Sequence, residues 1–109
     1  MEVHVGIETY GPPTKARLDV LRSAAARLTD DKSSVRVMHE PMSDRHCLVA
    51  QFTMRTTAQY KVVDDIAAEF KRAIWDFDDY MEMWITFPKR TAKVRSRGRK
   101  SPSDVAGDA

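Results

Sequence analysis

The stretch HCLVAQFTMR, residues 46–55, is the most apolar run in this chain of 109 residues. Its side chains alternate in character, and a period of two residues predicts a β-strand with one apolar and one mixed face. The apolar face carries Leu48, Ala50, Phe52 and Met54, and the mixed face carries Cys47, Val49, Gln51 and Thr53. A turn and another strand precede this stretch and a helix signal follows it, so we expect it to be a central strand.

Three other segments alternate in the same way, and two have helical spacing. The further predicted strands are Glu2 to Tyr10, Ser34 to His39 and Tyr80 to Phe87. Apolar residues at steps of three and four predict a helix from about Thr14 to Thr29. A second helix is predicted to begin at Thr56, because Thr56 and Gln59 have the spacing of a capping box.

The resulting order is strand, helix, strand, strand, helix, strand, which is the split β-α-β arrangement of the ferredoxin-like fold. We therefore predict an α+β domain over residues 1–88: a ferredoxin-like β-α-β-β-α-β sandwich with a four-stranded antiparallel sheet. Right-handed crossovers would place strands one and three in the middle, strands two and four at the edges, and both helices on one face. The other face of the sheet would be open.

The predicted open face mixes aromatic, apolar and polar side chains, which is typical of a surface that becomes covered. We interpret it as the interface of a homodimer, with an interface set of His4, Tyr10, Met38, Val49, Tyr80 and Trp84. One alternative is stacking of RNA bases on aromatic side chains. Strand three offers no aromatic residue for that purpose, and Glu8 and Glu82 would repel phosphates.

The order of elements also resembles that of dimeric α/β-barrel proteins, in which two sheets close around a small ligand. The hairpin with a polar turn at residues 42–45, followed by a strand and a helix, carries this resemblance. It implies a small-molecule-binding protein or a cofactor-free enzyme, with the ligand between sheet and helices and His4 or Glu8 lining the cavity. No catalytic residue is carried over from that group.

The C-terminal segment differs sharply in charge from the rest of the chain. Residues 1–88 hold 11 Lys+Arg and 14 Asp+Glu, a net charge of −3, whereas residues 89–109 hold 7 and 2, a net charge of +5. We predict that residues 89–109 form a disordered basic tail. Its cations would bind nucleic-acid phosphates without sequence specificity; they are Lys89, Arg90, Lys93, Arg95, Arg97, Arg99 and Lys100. A tail that only aids solubility, or one that binds an acidic protein or membrane, remains open.

Candidates for chemistry are few. His4, His39 and His46 with Cys47 would suit zinc or copper, but no two of them have a recognised ligand spacing. Cys47 would need His4 as its partner to act as a nucleophile. The carboxylates Asp76, Asp78 and Asp79 fall in a predicted turn, where Asp is common. We predict no catalytic residue, metal or cofactor, and a binding role in preference to catalysis.

The sequence also suggests a cellular setting. Its single cysteine permits no intramolecular disulfide, and no apolar run approaches the roughly 20 residues of a membrane helix. No secretory signal precedes the first strand. We therefore expect a reducing, cytoplasmic location.

Overall fold

The protein is an α+β domain with a five-stranded antiparallel sheet and two helices. The computed structural model describes residues 1–55, 59–88 and 90–94. Its elements are β1 (Glu2–Thr9), α1 (Lys15–Leu28), a 3-10 turn (Lys32–Ser34), β2 (Arg36–Pro41), β3 (His46–Thr53), α2 (Gln59–Ala73), β4 (Tyr80–Phe87) and β5 (Arg90–Val94). The strand order is β2-β3-β1-β4-β5, and every neighbouring pair is antiparallel.

The prediction of a four-stranded sheet with its fourth strand at an edge is wrong. β5 comes from the segment that was assigned to the basic tail, and it pairs with β4 from Phe87↔Arg90 to Met83↔Val94. Val94 is buried in the core, whereas Thr91 and Lys93 are exposed. The high density of cations concealed this short alternation. Lys89, Arg95, Arg97, Arg99 and Lys100 lie outside the described residues.

One apolar core fills the space between the sheet and both helices. β1 contributes Val3, Val5 and Ile7 to it, and β3 contributes Leu48, Ala50 and Phe52. The helices contribute Leu21, Ala24, Ala25, Val62, Ile66 and Phe70, so both pack on the same face of the sheet. Burying large side chains of this kind stabilises a fold by about 1.5–3 kcal/mol each. The opposite face therefore consists of the alternate residues of each strand.

A charged clamp joins the two loops at one end of the sheet. Arg17 donates from Nη1 to Asp79 Oδ2 (3.0 Å) and from Nη2 to Asp79 Oδ1 (2.6 Å). The Gly11 N–H donates to the same carboxylate at 2.6 Å, and the Arg17 guanidinium lies 4.4 Å from the centre of the Phe77 ring. A Cβ atom at Gly11 would lie 2.6 Å from Asp79 Oδ2, so this contact requires glycine.

The clamp also fixes the charge of Asp79. Burial opposes ionisation of this carboxyl, but hydrogen bonds from Arg17 and Gly11 outweigh burial and hold its pKa below the ordinary value. The clamp ties the β1–α1 loop to the turn between α2 and β4. It thereby fixes where β4 begins relative to β1.

Replacing Asp79 by Ala should lower the free energy of unfolding by about 2–3 kcal/mol, because hydrogen bonds to charged groups contribute about 1.5–3 kcal/mol. Urea unfolding measures this. The matched variant Asp19→Ala removes a carboxylate from exposed i,i+3 and i,i+4 pairs on α1 and should change little. Equal effects of the two substitutions would contradict the role of the clamp.

The same clamp predicts a pH dependence. Since the pKa of Asp79 is lower in the folded than in the unfolded chain, its contribution is complete above the ordinary carboxyl pKa of about 3.9. It is lost as the pH falls through the lowered value. The stability difference between wild type and Asp79→Ala should therefore shrink below about pH 4.

Within the described residues, neither helix is long and apolar enough to cross a membrane.

Candidate interaction surface

The face of the sheet away from the helices carries three rows of side chains that run across the strands. Strand register places directly opposed residues side by side on one face. The central row consists of Met38, Val49, Gly6, Trp84 and Lys93. On one side lies the acidic row of Glu40, Cys47, Glu8 and Glu82, and on the other the polar row of Arg36, Gln51, His4, Thr86 and Thr91.

The central row is apolar over most of its length and has a glycine in the middle. Gly6 lies between Val49 and Trp84, and a Cβ atom at this position would lie 3.5 Å from Cys47 Sγ. Met38 is exposed at the β2 edge, and Val49 and Trp84 are half-buried by their neighbours. At the other edge, the Nζ atom of Lys93 lies 5.5 Å from the centre of the Trp84 ring and 2.8 Å from Glu82 Oε1.

Glu8, in the acidic row, forms a hydrogen bond with Trp84 in the central row. Its side chain is only 13% exposed. Arg45 donates from Nη1 to Glu8 Oε1 at 2.8 Å, and the indole Nε1–H of Trp84 donates to Glu8 Oε2 at 3.2 Å. Each carboxylate oxygen thus accepts one hydrogen bond, and the bond from Nε1 holds the Trp84 ring in its orientation. Sequence analysis missed Arg45, because a loop arginine carries no signal of the strand that it contacts.

The polar row ends in a shallow hollow of about 280 Å³, lined by Glu2, His4, Thr86, Phe87 and Pro88. His4 Nε2 lies 3.0 Å from Glu2 Oε1, and the Gln51 amide donates to Glu2 Oε2 at 3.0 Å. His4 and Glu8 both face away from the helices. The barrel-like alternative requires His4 or Glu8 to line the space between the sheet and the helices. Neither residue lines that space.

Most of the predicted interface residues lie on this face. His4, Met38, Val49 and Trp84 belong to the rows, and Tyr10, which is 64% exposed, follows the end of β1. Tyr80 is placed differently: it is 6% exposed and belongs to the core. The register between β1 and β4 shifts between Glu8 and Thr9, so that Tyr80 pairs with Thr9. This irregularity turns Tyr80 towards the helices.

The histidines divide between the two faces of the sheet. His4 is in the polar row, whereas His39 pairs with the buried Leu48 and shares its face with His46. The proposed set of three histidines therefore does not form. No group of three or more His, Cys, Asp or Glu side chains arranged to hold a metal occurs within residues 1–55, 59–88 and 90–94.

Cys47 is poorly suited to act as a nucleophile. Burial raises the pKa of its thiol, and the negative charges of Glu8 and Glu40 raise it further. His4 pairs with Gln51, four residues along β3 from Cys47, which corresponds to about 13 Å. The three predicted carboxylates are divided between two environments. Asp79 belongs to the clamp, and Asp76 and Asp78 are exposed in the turn before β4.

The basic residues proposed to bind nucleic acid are only partly described. Arg90 begins β5, and Lys93 lies on the open face in contact with Glu82. The other five lie outside the described residues.

Comparison of the chain with models of known protein families, with curated proteins and with solved structures finds no match.

Cys47 should react with a disulfide reagent such as DTNB more slowly at pH 7.5 than an unhindered thiol, because less of it is thiolate. The pH at half-maximal rate should lie above the ordinary cysteine pKa of about 8.5. Glu40→Gln removes one of the two negative charges from the exposed edge strand and should move this midpoint to lower pH. A midpoint below 8 in the wild type would contradict the assignment.

Proposed function

We propose that the chain is a non-enzymatic interaction protein that forms a homodimer through the open face of its sheet. One observation carries the proposal: an apolar row lies between a row of carboxylates and a row that contains Arg36 and His4. Such a surface is complementary in charge to a second copy of itself. Isologous pairing of identical patches is the common way in which soluble proteins form dimers.

Charge complementarity selects one orientation of the two copies. A two-fold axis that runs along the central row, across the strands, lays the acidic row of one copy over the polar row of the other. Glu40 then faces Arg36 of the partner subunit, since both lie on β2. Glu8 faces His4 of the partner subunit in the same way on β1. The exposed Tyr10 is brought towards the partner's hollow.

The alternative two-fold axis, parallel to the strands, lays the acidic row of one copy over that of the other. Like charges placed together across an interface cost several kcal/mol. The axis across the strands therefore combines contact between the central rows with a pairing of Glu40 in each copy and Arg36 of the partner subunit. Sheets packed in this way keep their strands nearly aligned, as in β-sandwiches.

The face is large enough for a specific interface. Strands β1, β3 and β4 have eight residues each, β2 has six and β5 has five. At about 3.4 Å per residue and about 4.8 Å between strands, the face covers roughly 570 Å². Two copies would bury on the order of 1,100 Å² in total, above the roughly 1,000 Å² that a specific interface needs. We further propose that β1 to β4 with the two helices form a ferredoxin-like unit, extended at its edge by β5; the neighbours β2-β3-β1-β4 support this.

Trp84→Arg should convert the dimer into a monomer, because it replaces the largest apolar side chain of the central row with a charge. Sedimentation equilibrium over a range of concentrations measures the change. The matched variant Trp75→Arg alters a tryptophan that is 58% exposed after the end of α2, away from the open face, and should leave the dimer intact. Circular dichroism shows whether each variant is folded. A wild type that remains monomeric throughout would overturn the proposal.

A charge exchange tests the orientation. Arg36→Glu and Glu40→Arg should each weaken dimerisation about tenfold or more, and the double exchange should largely restore it. The two residues are four positions apart on β2, about 13 Å, so they do not pair within one copy. Rescue by the double variant therefore reports contact between copies. Single variants that dimerise like wild type would rule out this orientation.

A second proposal concerns the basic segment, residues 89–100, which we infer binds nucleic-acid phosphates. Its support is the density of charge, seven cations and no carboxylate in twelve residues. Lys93 is partly neutralised by Glu82, so the residues beyond Val94 would supply most of the affinity.

Fluorescence anisotropy with single- and double-stranded oligonucleotides tests the second proposal. Binding to the full chain should be tight at low salt and should fall steeply as salt is added, because counterions are released. A truncation that ends at Val94 keeps β5 in place and should bind at least tenfold more weakly. Equal binding by both forms, or none by either, would overturn this proposal.

A further inference from the structure

Two histidines meet at the edge of the sheet, on the face opposite to the proposed interface. His39 is on the edge strand β2 and His46 begins β3. His39 Nε2 lies 2.9 Å from His46 Nδ1, and the ring centres are 5.0 Å apart at an interplanar angle of 32°. His39 is exposed and His46 is half-buried, so solvent reaches the pair.

We propose that His39 and His46 form a two-imidazole site for a divalent transition-metal ion of the Ni²⁺ or Cu²⁺ class. A metal bound to two imidazole nitrogens at about 2.05 Å and at a right angle holds those nitrogens about 2.9 Å apart. Tetrahedral binding requires about 3.4 Å. The observed separation is that of a hydrogen bond between the rings, and it equals the separation of adjacent ligands in the square or octahedral geometry that Ni²⁺ and Cu²⁺ adopt.

In the structure the pair is joined through one nitrogen of each ring, and such contact needs a proton on one of them. To bind a metal through both nitrogens, the donor ring shifts to its other tautomer, which moves its proton to the second ring nitrogen, and both rings rotate until their lone pairs point at the ion. The described part of the chain offers no third His, Cys, Asp or Glu to complete a cluster, so water would occupy the remaining positions. The site is thus open and exchangeable, unlike a closed structural zinc site.

The hairpin explains how the pair arises. On this face of the hairpin, the pair Pro41↔His46 is followed by the pair His39↔Leu48. His39 and His46 are therefore diagonal neighbours across the two strands. The Met42 N–H donates to the Arg45 carbonyl at 2.9 Å and closes the loop. A bound metal would link β2 and β3 through the two histidine side chains, in addition to the backbone hydrogen bond that closes the loop. It would act on the helix side of the sheet, independently of the dimer proposed above.

Isothermal titration of the full, chelator-treated chain with Ni²⁺ tests the proposal; Ni²⁺ avoids redox reaction with the Cys47 thiol. Wild type should bind one ion per chain, and its melting temperature should rise with Ni²⁺. His39→Ala should weaken binding at least tenfold and abolish the thermal shift. His46→Ala should do the same, but because His39 is exposed, the His39 variant is the one expected to keep the fold intact.

His4→Ala is the matched control, since His4 is a single histidine on the opposite face. It should bind Ni²⁺ like wild type, and so should Cys47→Ser. The proposal is overturned if wild type and His39→Ala bind equally, or if removal of His4 or Cys47 abolishes binding. Dimer formation in the absence of metal is measured separately, so the two proposals fail independently.

Discussion

β1 has hydrogen-bonded neighbours along both of its edges, and this constraint sets which side chains of β1, β3 and β4 face the helices. Its register with β3 and β4 sends Val3, Val5 and Ile7 to the helices and leaves His4, Gly6 and Glu8 on the open face. A slip of one residue would exchange the two sets and bury Glu8 in an apolar core. The charge pattern of the open face is therefore as strongly determined as the core itself.

The alternation of side chains between the two faces of the sheet is interrupted where β1 pairs with the start of β4. This interruption determines which residues lie at that end of the open face. Between Glu8 and Thr9 the pairing with β4 shifts, and Tyr80 enters the core in place of the open face. The clamp of Arg17 and Asp79 lies next to this irregularity and anchors the turn that leads into β4. Beyond Glu82, β4 therefore places no aromatic side chain on the open face, and the exposed Tyr10 at the end of β1 is the aromatic residue next to the acidic row.

The elements that could be predicted from the sequence are those in which a regular side-chain pattern extends over many residues. Eight-residue strands such as β4 and the two helices repeat their pattern several times, and their approximate positions were predicted. β5 spans five residues rich in cations, so its pairing with β4 outweighs a local composition typical of tails. The bulge before Thr9 and the meeting of His39 with His46 depend on register between strands. Register is a property of the pair, and no single stretch of sequence carries it.

The contacts on the open face suit the binding role that we propose for it. Each oxygen of Glu8 accepts one hydrogen bond, from Arg45 or from Trp84, so the carboxylate is held by neighbours on the same face. The neighbouring thiol of Cys47 has a raised pKa, which disfavours the reactive thiolate. The same contacts hold Trp84 in one orientation before any partner arrives. Because an ordered side chain loses little entropy on binding, this fixed orientation of Trp84 suits the proposed interface.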